Sequence, residues 1–316
     1  MTDAIRSVVL VTNPLSGHGR GMAAGLAARA RFAERGVRVS EICGATVAET
    51  VRLVRDSLTA RTAETGPDAV VCAGGDGLVC IVLQALAGAG VPLGMIPGGT
   101  GNDLARELGV PEHDPIAAAD VVLAGHERTI DLGVVRTAEP SAELPSPIHF
   151  ATVAGTGFDA RVTLRANRMR YPKGRLRYPL AALVELAGGL AVPYRIELRG
   201  VPGESEPVSV ETEAIMVAVG NTCSYGGGML VCPDAELDDG LLDLTVVGAM
   251  SRREMVRLLP ALSAGKRVDH PALSRFRAAE ITLAAPSAPA TADGEPAGML
   301  PATFRALPGA QRVLVP

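Results

Sequence analysis

Tryptophan is absent from this 316-residue chain, and aromatic residues account for only 3% of it. Surfaces that stack nucleobases are built from such rings, and a formal net charge of -4 offers no basic excess to attract nucleic acid. No nucleic-acid partner is expected. The five cysteines (Cys43, Cys72, Cys80, Cys223 and Cys232) include no C-x-x-C pair, and several lie in apolar runs, where a thiol acts as a small hydrophobe. No secretory signal precedes the strand-like run Ser7–Thr12, so a reducing cytoplasm is expected. Lysine is missing from everything before Lys173, and no G-x-x-x-x-G-K-[ST] occurs. That excludes a Walker A site. Long unbroken apolar runs are missing too. Charge disappears between Gly77 and Asn102, but Gly88, Gly90, Pro92, Gly94 and Pro97 cut that stretch into pieces too short to cross a bilayer. Pro179 to Tyr194 fails as a span because it contains Glu185 and a Gly-Gly pair.

With 47% hydrophobic and 20% charged residues, the chain has the make-up of an ordinary globular protein. Its length exceeds what one hydrophobic core usually serves, which predicts two domains. The first part alternates. Ser7–Thr12, Val37–Cys43, Ala69–Ala73 and Pro92–Ile96 read as strands. Met22–Arg35, Val47–Ala60, Leu78–Leu86, Asn102–Leu108 and Ile116–Leu123 read as helices. Such alternation predicts a parallel sheet covered by helices. After about Ile130 helical patterns become rarer and strand patterns take over, at Arg195–Leu198, Val208–Val219, Leu241–Val247 and Glu280–Ala284. An antiparallel β domain is expected there. The Asp239-Gly240 step in DDGL is of the kind found in tight hairpins, and Ala284–Ala292, rich in Pro and Ala, reads as a loop.

In open α/β sheets, ligands collect beyond the carboxyl ends of the strands. Here those ends read NPLSGHGRG (13–21), CAGGDG (72–77) and PGGTGND (97–103). Glycine lets backbone N–H groups approach an anion that a Cβ would hold off, and the helix after each loop adds its positive end. One such loop could be merely a tight turn; three on one sheet edge predict a phosphate site. GHGRG is not G-x-G-x-x-G, so a dinucleotide fingerprint is at best weak.

TNPLSGHG, GGDG, PGGTGNDLARELG, IDLG, YGGGMLVCPDAELDDGLLDLTVV and ADGEPAGMLPATF, in that order, resemble the motifs of bacterial diacylglycerol kinases and related lipid kinases. These belong to the diacylglycerol kinase catalytic superfamily, and ANRMRYPKGRLRY (166–178) resembles its actinobacterial members. The resemblance runs from about residue 7 onwards. It implies a Rossmann-like ATP-binding domain over 1–131 and an antiparallel β-sandwich lipid-substrate domain over 132–304. Residues 305–316 would pack back on the first domain, and the active site would lie in the cleft between the two. The implied reaction is ATP- and Mg²⁺-dependent phosphorylation of diacylglycerol to phosphatidic acid. Phosphorylation of another lipid or of NAD, and nucleotide binding with little catalysis, are the alternatives.

The resemblance also implies roles for single residues. ATP contact falls on Asn13, Pro14, Ser16, Gly17 and Thr46, on Gly74, Gly75, Asp76 and Gly77, and on Gly99, Thr100, Gly101, Asn102 and Asp103. Asp76, Asp103 and Asp131 would serve the phosphate and metal network, although Asp103 also suits a helix start and Asp131 a loop closure. Asp293 and Glu295 resemble the catalytic carboxylates, against the plainer reading of a charged turn. Glu236, Asp239 and Leu241 resemble an accessory Mg²⁺ site partly made of main-chain carbonyls. The chain departs from most relatives at Leu78, Cys80 and Ile81, which stand where Thr, Asn and Glu are usual, and His18 replaces a Lys of some relatives. Between Arg165 and Tyr178, the basic residues Arg165, Arg168, Arg170, Lys173, Arg175 and Arg177 alternate with apolar ones. That suits either an anionic membrane surface or a solvated basic loop. Peripheral attachment to the inner face of the cell membrane is expected, and a homodimer is compatible with the reading.

Overall fold

Ser7–Thr12 (β1) is buried at all six positions, the mark of a strand covered on both faces. The computed structural model describes residues 5–13, 19–59, 66–169, 171, 177–185 and 191–316. Its contacts divide the chain into one unit made of Met1–Ile130 with Gly309–Pro316, and a second made of Asp131–Pro308.

In the first unit, β1 is followed by α1 (Arg20–Glu34), β2 (Arg38–Ile42), α2 (Val47–Thr59), β3 (Ala69–Gly74), α3 (Asp76–Leu86), β4 (Leu93–Pro97), α4 (Asp103–Glu107) and α5 (Pro115–Ala124). The strands are parallel in the order β2-β1-β3-β4. β3 and β4, like β1, are buried throughout. α1 packs with α5, tied by Arg31 Nε to Asp120 at 2.7 Å, and α2 packs with α3. Local chemistry sets the helix ends. Asp114 accepts from Ile116 N and Ala117 N ahead of Pro115 at the start of α5, the cap and first-turn proline that helices favour. α3 begins two residues earlier than the pattern predicts, at Asp76, because the acid sits in the first turn where the dipole favours it.

β5 (Glu127–Pro140) leads the chain into the second unit. There follow β6 (Ile148–Phe150), β7 (Val153–Gly157), α6 (Phe158–Arg168), α7 (Arg177–Glu185), β8 (Val192–Arg199), β9 (Val208–Gly220), β10 (Ser224–Tyr225) and β11 (Met229–Leu230). β12 (Leu242–Gly248), α8 (Arg252–Ser263), β13 (Leu273–Ala278), β14 (Glu280–Ala284), β15 (Pro289–Ala292) and β16 (Glu295–Leu314) complete it, β16 continuing into the first unit. Antiparallel pairings run β9–β8–β14–β16–β15–β7 and back to β9, while β12 and β13 extend from β9. Phe150 and Phe304 meet edge to face in the core, with centroids 6.5 Å apart.

Three local readings are corrected. DDGL does not close a hairpin: β12, which follows it, pairs with β9 and β13, and Asp239 instead accepts from Leu241 N at 2.9 Å. Part of Ala284–Ala292 is strand, because the small residues of β15 fit, all buried, between β7 and β16. Arg165 and Arg168 belong to α6 rather than to a loop.

Candidate active site

In the first unit, two of the three glycine-rich loops are described and their backbones meet. A Cβ on Gly75 would stand 2.9 Å from Gly99 Cα, and one on Gly99 would stand 2.5 Å from Gly75 Cα. No side chain fits at either place, so the turns after β3 and β4 approach as bare backbone. Asn102, buried and in the left-handed region at φ 56, braces the second turn by accepting from Gly99 N at 3.0 Å. Asp76 Oδ1 accepts from Leu104 N at 3.4 Å, and Asp103 is held by Arg106 at 2.8 Å. Arg106 also reaches Gly101 O at 2.6 Å and Glu112 at 2.7 Å. A recess lined by Gly74, Gly75, Asp76, Pro97 and Asn102 results.

Asn13 ends next to β1, while Pro14, Ser16 and Gly17 lie outside the described residues. Thr46 is exposed and caps α2, accepting from Glu49 N at 3.1 Å, with Glu49 returning to Ala45 N at 2.8 Å. Leu78, Cys80 and Ile81 are buried on α3. At these three positions this chain carries core.

In the second unit, Asp293 is buried; its Oδ2 accepts from Ala151 N at 2.8 Å, and its Oδ1 from Thr152 N at 2.8 Å and Thr152 Oγ1 at 2.6 Å. Its backbone sits in the left-handed region at φ 49, and its N–H donates to Val153 O at 3.1 Å. Such a conformation persists where surrounding bonds over-determine it. Half-buried Glu295 follows two residues on; desolvation first, then the charges of Glu143 and Asp293, push its carboxyl above the usual range. A carboxylate with a raised pKa suits proton acceptance near neutral pH.

Asp131 is also buried, with Oδ2 accepting from Gly240 N at 2.6 Å. Asn221 joins Asp131 to the Asp293 anchor: its Nδ2 donates to Asp131 O at 3.0 Å and to Ala151 O at 2.9 Å. Asn221 and Thr152 stand outside every motif quoted above. Asn221 had one visible signal, a lone amide ending the buried run Ala214–Gly220 of β9.

The proposed accessory metal ligands look different. Glu236 is exposed, and Asp239 Oδ2 is taken by the guanidinium of Arg277, which also reaches Asp243 at 3.3 Å. Arg277 and Asp243 face each other directly across β12 and β13. Among the described residues, no group of three or more His, Cys, Asp or Glu could hold a metal ion. Arg277 supplies the positive charge beside Asp239 here.

Of the membrane-facing candidates, Arg168 ends α6, whereas Arg170, Lys173 and Arg175 lie outside the described residues and Arg177 opens α7. Arg165 is engaged with Glu185 at 2.5 Å. Among the described residues, no helix is long and apolar enough to cross a membrane.

A parallel α/β unit with glycine-rich loops, followed by a β-sandwich-like unit bearing an acidic turn, defines a class of two-domain kinases. The diacylglycerol kinase catalytic domain matches residues 7–135, and the YegS C-terminal NAD kinase beta sandwich-like domain matches residues 152–315. A diacylglycerol kinase of Mycobacterium tuberculosis is 44% identical over 312 residues, covering 99% of this chain and 96% of that protein. One from Bacillus subtilis is 30% identical over 241 residues, covering 75% and 74%. A crystal structure of a diacylglycerol kinase from Bacillus anthracis str. Sterne shares the fold at a TM-score of 0.69 and 20% identity, covering 99% of this chain and 97% of that one. The chain belongs to the diacylglycerol kinase family. The names of its relatives mark it as a kinase.

Proposed function

We propose that this chain phosphorylates the free hydroxyl of diacylglycerol, with ATP entering as its Mg²⁺ complex, to give phosphatidic acid and ADP. The observation that carries this reading is the Asp293–Glu295 turn, where a fully hydrogen-bonded carboxylate fixes the backbone beside one whose pKa burial has raised. Glu295 takes the proton of the lipid hydroxyl as its oxygen bonds to the γ-phosphorus and the bond to the ADP oxygen breaks. Backbone amides of Gly74–Gly77 and Thr100–Asn102 hold the phosphates, and Asp76, Asp103 and Asp131 serve the Mg²⁺–phosphate network. Phosphoryl transfer asks for positioning and charge compensation more than covalent help, which suits backbone donors and fixed acids.

The acceptor resides in a bilayer, so the enzyme works while attached to the inner membrane face. The basic run Arg165–Tyr178 supports attachment to anionic headgroups, each basic group contributing about 1 kcal/mol near such a surface. A radiolabelled ATP assay tests the whole reading. Its arms are diacylglycerol in anionic vesicles, diacylglycerol in neutral vesicles, other lipids, and NAD, each with and without Mg²⁺. Label in phosphatidic acid, dependent on Mg²⁺ and highest on anionic vesicles, is the expected result. Label in NAD alone, or in no lipid, overturns it.

A further inference from the structure

The junction between β6 and β7 is gripped from two sides. Ala151 and Thr152 give their N–H groups to the carboxylate of Asp293. Their carbonyls are taken by the residues just past β9. Ala151 O accepts from Asn221 Nδ2 at 2.9 Å, and Thr152 O accepts from Asn221 N at 2.8 Å and Thr222 N at 3.2 Å. The other amide hydrogen of Asn221 goes to Asp131 O, in β5, at 3.0 Å. All of these residues are buried. One carboxamide thus ties β5 to the dipeptide that holds Asp293, and Glu295 follows two residues further on.

That carboxamide is used unevenly. Nδ2 serves two carbonyls, yet Oδ1 is buried and has no hydrogen-bond partner among the described residues. A buried acceptor without a donor lowers stability, because nothing replaces its bonds to water. Polar groups buried for structure normally have their bonds satisfied, and packing alone is served by apolar side chains. Apolar side chains fill the buried run Ala214–Val219 immediately before. At position 221 the two donors are kept in spite of the orphaned oxygen.

We propose that Asn221 is a positioning residue for the transfer step: its carboxamide fixes the Ala151–Thr152 junction to β5, and through Asp293 that junction fixes Glu295 against the acceptor hydroxyl. This rests on the reading above, in which Glu295 takes the proton. Asn221 itself touches no reacting group. The competing role is service to the fold alone.

A double-mutant cycle between Asn221→Ala and Glu295→Gln in the full chain separates the two roles, with kinetics measured well below the Tm of every variant. Asn221→Ala is expected to lower kcat roughly tenfold to a hundredfold, the scale of about 1 Å of misplacement. The KM values of lipid and ATP move less than about threefold. Added to Glu295→Gln, it lowers kcat by less than about threefold more, because the group it positions is already gone. Thr245→Val removes another buried bond of the same unit, to Val231 O at 2.8 Å, and keeps the parental kcat. Hydrogen exchange, read without substrate, is expected to quicken at Ala151, Thr152 and Glu295 in Asn221→Ala and to stay parental in β8 and β14. Should Asn221→Ala fail to fold, Asn221→Thr, which keeps bulk and one donor, takes its place.

Losses that multiply in the double variant overturn the positioning role and leave the proposed reaction standing. So do unchanged exchange at Ala151 and Thr152, and an equal loss of kcat in Thr245→Val. If label passes from ATP to an acceptor other than diacylglycerol and the cycle on that acceptor is not multiplicative, the positioning role stands and the diacylglycerol reading falls. A parental kcat in Glu295→Gln, or transfer to no acceptor, overturns both.

Discussion

Asp293 and Glu295 stand two positions apart and meet opposite demands. Asp293 is spent on holding the chain, its donors coming from Ala151 and Thr152. Asparagine there would turn an amide NH₂ toward N–H donors, and a buried donor left without an acceptor costs about 1–3 kcal/mol. Asp293→Asn is therefore expected to lower thermal stability as well as activity, and a parental Tm would refute the anchoring role. Glu295→Gln is expected to fold normally and lose kcat by roughly a hundredfold or more, the usual scale of a missing general base. Its pH behaviour sharpens the test. Because the folded pKa of Glu295 lies above its unfolded value, this group's contribution to stability is present at low pH and is lost as pH rises through the raised folded value. If Glu295 is the proposed proton acceptor, activity is expected to climb over the same span as its carboxyl ionises. Gln at position 295 removes both trends, which calorimetric melts and kcat measured across the acidic range would reveal.

At the scale of elements, the junctions β3–α3 and β4–α4 interlock through backbone alone. Gly75→Ala would place a methyl 2.9 Å from Gly99 Cα, and a main-chain neighbour cannot swing aside as a side chain can. Overpacking of this kind costs about 1–3 kcal/mol. Moving the two turns apart also displaces the amides proposed to hold the phosphates, so the KM of ATP is expected to rise with the loss of stability. An alanine variant with parental nucleotide affinity would show that the close approach is not needed. These junctions were legible in the sequence because glycine clusters after apolar runs have few other uses, and β1 and β3 were legible because burial on both faces leaves continuous apolar strands. β15 left no comparable trace, its four small residues making no apolar run. The two main-chain partners of Asp293 were equally silent, since backbone amides 141 and 142 residues away carry no side-chain signature. The departures at Leu78, Cys80 and Ile81 became intelligible only when α3 proved to bury all three.

At the scale of the whole molecule, the first unit is not continuous in sequence. Gly309–Pro316 returns to it: Val313 pairs with Leu93 of β4, Gln311 Nε2 donates to Val91 O at 3.0 Å, and Val315 N donates to His126 O at 2.9 Å. Val313 and Leu314 are fully buried, and burying such a side chain contributes about 1.5–3 kcal/mol. Deleting Gly309–Pro316 is expected to destabilise the first unit by several kcal/mol on that scale. Hydrogen exchange should quicken in β4 and α5 while β8 and β9 keep their protection. Equal protection throughout would mean that the returning strand is dispensable. The same arrangement has a consequence for biosynthesis. A ribosome delivers β1 to β4 first, and domains made first usually fold first. Here the strand that flanks β4 is translated only after all of Asp131–Pro308, so the sheet beneath the glycine-rich loops must wait, its β4 edge open, until the whole second unit has already been made.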